Sequence, residues 1–342
     1  MTPGVYFHKS AAIWLFVSTL CPVLCIAQAE APTRTVYIPV EFERDNSRDR
    51  WDRGFWIMFK RSYDPGREPQ VWSYDRDGKL VIPKTDIRFP DARYAILRSV
   101  AATGDGGVVA SAELWNAAGE VATVLCSIAP GGRITRVVRT DSFFGDDLAV
   151  APNGHIWAFG TPPLLYKEKT AEYDTLAHYD RDGKLLGRHL PRAGFGVPYS
   201  PTLTHNLGIS RVVASPTRVG VFSARAQQWI EFSSSGELLD RFTLPPPAGP
   251  DGKAAETPEV VMTESGAVYG YFLVSPKPGG KFYSGLHQLD RANRKWVLVP
   301  RERFMEGFGG LFGFEGNSVI LRRGCCTYGW FPAPDVLATL EL

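Results

Sequence analysis

A chain of 342 residues, 44% hydrophobic and 12% aromatic, has material for a large core, and single all-β domains reach this size. Its net charge of +2 supplies no global attraction to nucleic acid or to an anionic membrane surface. The 34 glycines and 26 prolines suit many short strands joined by tight turns.

In chain order, the first predicted element is a leader. Lys9 precedes an apolar run from Ala11 to Ile26, and Ala27-Gln28-Ala29 has the small-x-small form of a signal-peptidase site. The run is shorter than the ~20 residues of a comfortable membrane span, and Pro22 interrupts it. Leu20 and Leu24 stand before Cys21 and Cys25 where a bacterial lipid anchor needs a small residue. Residues 1–29 therefore read as a signal peptide and 30–342 as the mature domain, secreted or periplasmic, with no later membrane span. Next, Glu43-Arg44-Asp45 and Arg48-Asp49-Arg50-Trp51-Asp52-Arg53 mix both charge signs and read as a solvated loop rather than a polyanion site.

From residue 70 onward a hairpin recurs. Its clearest copies are Val71-Trp72-Ser73-Tyr74-Asp75-Arg76-Asp77-Gly78-Lys79-Leu80 and Leu176-Ala177-His178-Tyr179-Asp180-Arg181-Asp182-Gly183-Lys184-Leu185. Turn positions 78, 131, 183, 236 and 293 lie 53, 52, 53 and 57 residues apart, which marks an internal repeat. A second hairpin is interleaved with it, best seen in Leu148-Ala149-Val150-Ala151-Pro152-Asn153-Gly154-His155-Ile156-Trp157. Two hairpins per period make a four-stranded antiparallel blade. No stretch of the mature chain has sustained helical periodicity with caps. The expectation is an all-β, six-bladed β-propeller, with five regular units, a last unit from Gly309, and Thr35 to Phe42 latching the ring. Val336 to Leu342 offers a further strand from the other end.

The Leu148 to Trp157 hairpin and the Tyr179 to Leu185 hairpin resemble NHL-type and TolB-like six-bladed propeller repeats. The resemblance covers nearly the whole mature chain as a pattern, and it implies a fold without a family function.

Blade connectivity then sorts the loops onto two faces. Turns between first and second and between third and fourth strands are short, as at Asn153-Gly154 and Asp77-Gly78. The other connections are long: Lys60 to Gln70, Pro162 to Asp174, Pro191 to Ser210, Pro245 to Pro258 and Ser275 to Ser284. Loops beyond the minimum cost ordering entropy, so the long-loop face is the candidate working face. At its central opening the alignment brings Arg98, Asp146, Asp147, Arg211 and Glu259 to one level, with His205 on a neighbouring loop and Tyr328 beside the last blade's loop. Carboxylates in such an opening hold a divalent cation in propeller hydrolases of the gluconolactonase kind, but here arginines stand among them and amide ligands are missing. Charge pairing or an anionic ligand fits these residues better than a metal, and no cofactor is expected.

Loss of the leader leaves Cys126, Cys325 and Cys326. Cys126 falls in a third strand and reads as a core thiol. Cys325-Cys326 either form a strained vicinal disulfide, remain two thiols, or serve intermolecular or metal chemistry. His155, His178, His189 and His287 show no metal-ligand spacing with acids or cysteines, and Trp72, Trp157, Trp229 and Trp296 read as inter-blade packing. No nucleophile elbow, phosphate loop or zinc-protease helix is present in the sequence. The functional expectation is a monomeric scaffold that binds a small anionic ligand or a protein partner. The alternative is a lactonase-like hydrolase or lyase using Asp147, Glu259 and His205 at the same opening.

Overall fold

The computed structural model describes residues 31–38, 47–62, 64, 66–140, 143–162, 172–198, 207, 210–248, 256–274, 283–300, 310–316, 318–324, 327–332 and 337. The leader, the Cys325-Cys326 pair, His205 and most of Val336 to Leu342 lie outside them. Among the described residues, no helix is long and apolar enough to cross a membrane.

The chain forms six four-stranded antiparallel sheets in sequence order, a six-bladed β-propeller. Blade one is β2 (Ser47–Asp52), β3 (Phe55–Lys60), β4 (Gln70–Asp75) and β5 (Leu80–Asp86). Blade two is β6 (Tyr94–Ala102), β7 (Val108–Trp115), β8 (Val121–Ile128) and β9 (Ile134–Arg139). Blade three is β10 (Phe144–Val150), β11 (Ile156–Thr161), β12 (Asp174–Tyr179) and β13 (Leu185–Pro191). Blade four is β14 (Ser210–Ala214), β15 (Arg218–Ser223), β16 (Gln228–Ser233) and β17 (Leu238–Thr243). Blade five is β18 (Glu256–Met262), β19 (Val268–Val274), β20 (Tyr283–Asp290) and β21 (Lys295–Leu298). Blade six is β22 (Gly310–Glu315), β23 (Ser318–Arg323) and β24 (Thr327–Pro332), completed by β1 (Arg34–Tyr37) from the other end of the described chain.

That last pairing closes the ring. β1 runs antiparallel to β24, with Thr35 opposite Gly329 and Val36 opposite Tyr328, so the latch expected from Thr35 onward forms. It covers an edge that would otherwise present unpaired backbone groups. Arg34 adds a cation–π contact 5.0 Å from the Trp330 ring centre. The seam behind it is aromatic: Trp56, Phe312 and Tyr328 meet with ring centres 4.6–5.7 Å apart. Trp51 lies over Gly313, where a β-carbon would come within 2.4 Å of the indole.

One sequence expectation fails here. Arg48-Asp49-Arg50-Trp51-Asp52-Arg53 is not a solvated loop: residues 47–52 are β2, the innermost strand of blade one. Trp51 is buried while Asp49, Arg50 and Asp52 face a polar channel, so the strand has no apolar run for a pattern reading to detect. The remaining blades follow the repeat. Turns on one face span two to five residues, whereas the strand ends joined through 9, 12 and 18 residues (61–69, 162–173 and 192–209) lie on the other. Blade two is plainer, with only five residues between β7 and β8. The longest of these connections begins with a short 3-10 turn, Arg192–Phe195, whose buried Arg192 donates to the carbonyl of Val197 at 2.8 Å.

The four repeated tryptophans pack between blades as expected: Trp229 shares a core cluster with Val260 and Phe272 of blade five, and Trp72 shares one with Ile320 and Trp330 of blade six. Trp157 of blade three reaches Phe232 of blade four, and Trp296 of blade five reaches Phe222 of blade four. Cys126 is a buried free thiol, and burial pushes its pKa up to about 12.

Candidate functional site: the charged central channel

The six innermost strands enclose a channel of about 920 Å³. These strands begin at the long-loop face and end at the short-turn face, so their first residues ring the long-loop mouth. Four of them carry a bulge near that mouth: β6 at Arg98, β10 at Asp146, β22 at Phe312, and β18 between Glu256 and Glu259. A bulge bends the strand and re-aims its side chains. The β10 bulge depends on Gly160, since a β-carbon there would lie 1.5 Å from the Phe144 carbonyl oxygen.

Most of the channel's charge is spent tying blades together. Arg50 of blade one donates to the carbonyls of Leu148 (2.6 Å, blade three) and Val100 (3.3 Å, blade two), and its guanidinium lies 3.3 Å from Asp147 Oδ1. Asp147 uses its other oxygen to accept the Val212 N–H of blade four at 2.8 Å. Asp52 accepts the Ala102 N–H at 2.8 Å, linking blades one and two, and Arg53 donates to the Val150 carbonyl. Arg322 of blade six reaches Asp49 of blade one at 3.4 Å. Burial works against the charge on Arg50, but Asp147, Asp52 and Glu259 outweigh it and hold its pKa above the ordinary value. Around Arg53 burial wins, and its pKa falls despite Asp52 and Glu264.

Arg211 and Glu259 are different. They sit on neighbouring blades four and five at the long-loop mouth, with Nη2 and Oε1 3.8 Å apart, beyond hydrogen-bond reach. Glu259 is 45% exposed at its side chain, against 12% for Asp147. Its carboxylate touches channel solvent, yet protein surrounds it closely enough to impair hydration. That burial raises its pKa; Arg211 and Arg50 oppose the rise, and Asp147 and Asp49 add to it. Asp49 is raised for the same first reason, burial, with Arg322 opposing.

The structure thus brings Asp147, Arg211 and Glu259 together at the channel wall, with Asp146 on the adjacent bulge. Arg98 also lies at the mouth, but its guanidinium pairs with Glu113, which is 1% exposed, and rests 5.6 Å from the Phe144 ring centre. Tyr328 is fully buried among Trp56 and Phe312, outside the channel lining, and burial raises its phenol pKa. His205 lies outside the described residues. Sequence reasoning missed Asp49, Arg50 and Asp52. A usable signal existed, because Gly54 stands 52 residues before Gly106, in step with the repeat.

A second group was also missed. His155, His178 and His189 gather on blade three, with His155 Nδ1 and His178 Nε2 sharing a hydrogen bond at 2.9 Å. Trp157 stacks on His178, centres 3.9 Å apart at 10°. Burial first, then repulsion from the two neighbouring imidazoles, lowers the His178 pKa to about 4. Among the described residues, no group of three or more His, Cys, Asp or Glu side chains is arranged to hold a metal ion.

The fold and this channel define the class: a six-bladed propeller with a charge-lined central opening. Comparison with solved structures agrees with the fold. A protein of unknown function from Dyadobacter fermentans superposes with a TM-score of 0.50 at 11% identity, covering 87% of this chain and 98% of its own. A DUF4221-family member from Bacteroides vulgatus gives 0.49 at 9% identity, covering 88% of this chain and 97% of its own. A gluconolactonase from Xanthomonas campestris gives 0.42 at 16% identity, covering 85% and 86% respectively. Of these three, the first bears on the fold, and at 11% identity it speaks for the fold alone. No protein-family model matches the chain, and no curated protein matches it either.

Proposed function

We propose that this chain is an exported, monomeric binding propeller that takes a small anionic ligand at the long-loop mouth of its central channel. The observation that carries this reading is that the channel wall holds two guanidinium groups, Arg50 and Arg211, among its carboxylates, with Glu259 3.8 Å from Arg211. A guanidinium offers a planar donor fork to an incoming carboxylate, sulfate or phosphate group. The same chemistry disfavours a lactonase-like reading. A cation at this level would have to approach between Arg50 and Arg211, which face the carboxylates it would use.

Thermal shift with sulfate and citrate at about pH 6, against chloride at matched ionic strength, tests the proposal. Near ten times Kd, binding should raise the melting temperature by roughly 2–3 °C. Arg211→Gln should abolish the shift. Equal responses in wild type and Arg211→Gln would overturn the reading.

A further inference from the structure

This inference rests on the channel taking an anionic group and concerns which kind of molecule carries it. Two groups in the wall have unused hydrogen-bonding capacity, of opposite kind. The first is Arg50 on β2 of blade one. All three of its hydrogen bonds come from Nη1, to the Leu148 and Val100 carbonyls and to Asp147 Oδ1. Its Nε and Nη2 have no hydrogen-bond partner among the described residues, and the side chain is 24% exposed in the channel. Nε–H and one Nη2–H point the same way and form the side-on edge of the guanidinium, which matches the two oxygens of a carboxylate. Because Nη1 is already fixed to blades two and three, that edge is held in place before a ligand arrives.

The second group is Glu259 on β18 of blade five. Its side chain is 45% exposed, and neither carboxylate oxygen accepts a hydrogen bond from the described residues. Burial of the carboxylate raises its pKa, so an added donor of positive charge would stabilise it. Blade six stands between blades five and one, in contact with the inner strands of both. Its own inner strand, β22, lines the channel with Phe312 and Phe314, while its acid, Glu315, is taken by Arg76 at 2.7 Å and by the Trp330 indole at 2.8 Å. A donor edge, an apolar stretch and an acceptor carboxylate therefore follow one another around the opening.

We propose that the channel ligand is an amino carboxylate, whose carboxylate pairs side-on with Nε and Nη2 of Arg50 and whose ammonium group donates to Glu259. Its carbon skeleton then lies along the blade-six phenylalanines. A simple anion gains at Arg50 and is repelled at Glu259, whereas a molecule with both charges is matched at both ends. Binding is non-covalent, and no bond forms or breaks.

Glycine, 4-aminobutyrate and 6-aminohexanoate vary the spacing of the two charges, and butyrate and butylammonium carry one charge each. All five, with sulfate, would be titrated calorimetrically into the full mature chain at about pH 7.5. The best-fitting amino carboxylate should bind roughly tenfold or more tightly than butyrate or butylammonium. Glu259→Gln should reduce it to the level of butyrate, without weakening butyrate itself. Arg50→Lys keeps the charge but loses the side-on edge, and should weaken the amino carboxylate and butyrate alike by roughly tenfold. Should Arg50→Lys fail to fold, the Glu259→Gln comparison carries the test, together with the Arg50 Nε–H resonance, which should shift on saturation with the amino carboxylate. Butyrate or sulfate binding as tightly as every amino carboxylate, or a preference that survives Glu259→Gln, would overturn the inference and leave the anion site standing. No binding of sulfate, butyrate or any amino carboxylate would overturn both.

Discussion

Two charge pairs in the same channel wall behave as opposites. Arg50 and Asp147 engage three further backbone groups between them, and join blades one, two, three and four. Arg211 and Glu259 lie on neighbouring blades four and five, 3.8 Å apart. The residue types are alike, so composition does not separate them; the closeness of the contact and the exposure of the carboxylate do. A charge tied to several blades is part of the architecture, and breaking it leaves its partner stranded. A half-solvated pair with slack geometry contributes little to folding and remains exchangeable. Charge in a propeller channel therefore does not by itself mark a binding site.

The comparison can be broken most forcefully at its fixed end. Arg50→Ala removes the ties to blades two and three and leaves Asp147 buried beside an empty space, so a loss of about 3 kcal/mol is expected in urea unfolding. Gly160→Ala attacks the same end through the backbone. Its β-carbon collides with the Phe144 carbonyl, and relief of that clash must undo the bulge that places Asp147, at a cost of about 3 kcal/mol.

A smaller effect should come from the blade-three imidazoles, remote from both pairs. The folded-state pKa of His178 is about 4, below its reference of 6.5, so the unfolded chain binds more protons between those values. The His178 share of stability should be full above about pH 6.5 and fall by about 2 kcal/mol as pH drops toward 4; His178→Gln should lessen the slope there, while His189 and His287, whose pKa values burial also lowers, keep their own shares. Smaller still is the change at the mouth. Glu259→Gln should leave neutral-pH stability within a few tenths of a kcal/mol of wild type, or slightly above it, as measured in urea. Asp147→Asn should lower it.

The fold was far more legible in the sequence than the site. Asp-Gly turns at Gly78 and Gly183 have positive φ angles that glycine adopts freely, so a turn signal survives in every regular blade and its spacing reveals the ring. The inner strand of blade one gave no such help. A strand lining a polar channel carries charge where a core strand carries valine, and Arg48 to Arg53 accordingly read as a solvated loop. Register explains the rest. Alignment placed Arg98 beside Asp147, but the β6 bulge accompanies a guanidinium paired with Glu113, which no linear spacing encodes. Tyr328 was drawn to the mouth by its nearness in sequence to Cys325-Cys326, whereas strand alternation sends it into the aromatic seam. The three histidines are separated by 23 and 11 residues and meet only because β12 and β13 pair behind the Asn153-Gly154 turn.

The central claim is that the Arg50–Asp147 pair is structural and the Arg211–Glu259 pair contributes little to folding. Parallel double-mutant cycles in urea, Arg50→Met with Asp147→Asn and Arg211→Gln with Glu259→Gln, test it most directly. The account predicts a coupling energy of about 2 kcal/mol or more for the first pair and under about 0.5 kcal/mol for the second. Equal couplings, or a larger one at the mouth, would contradict it.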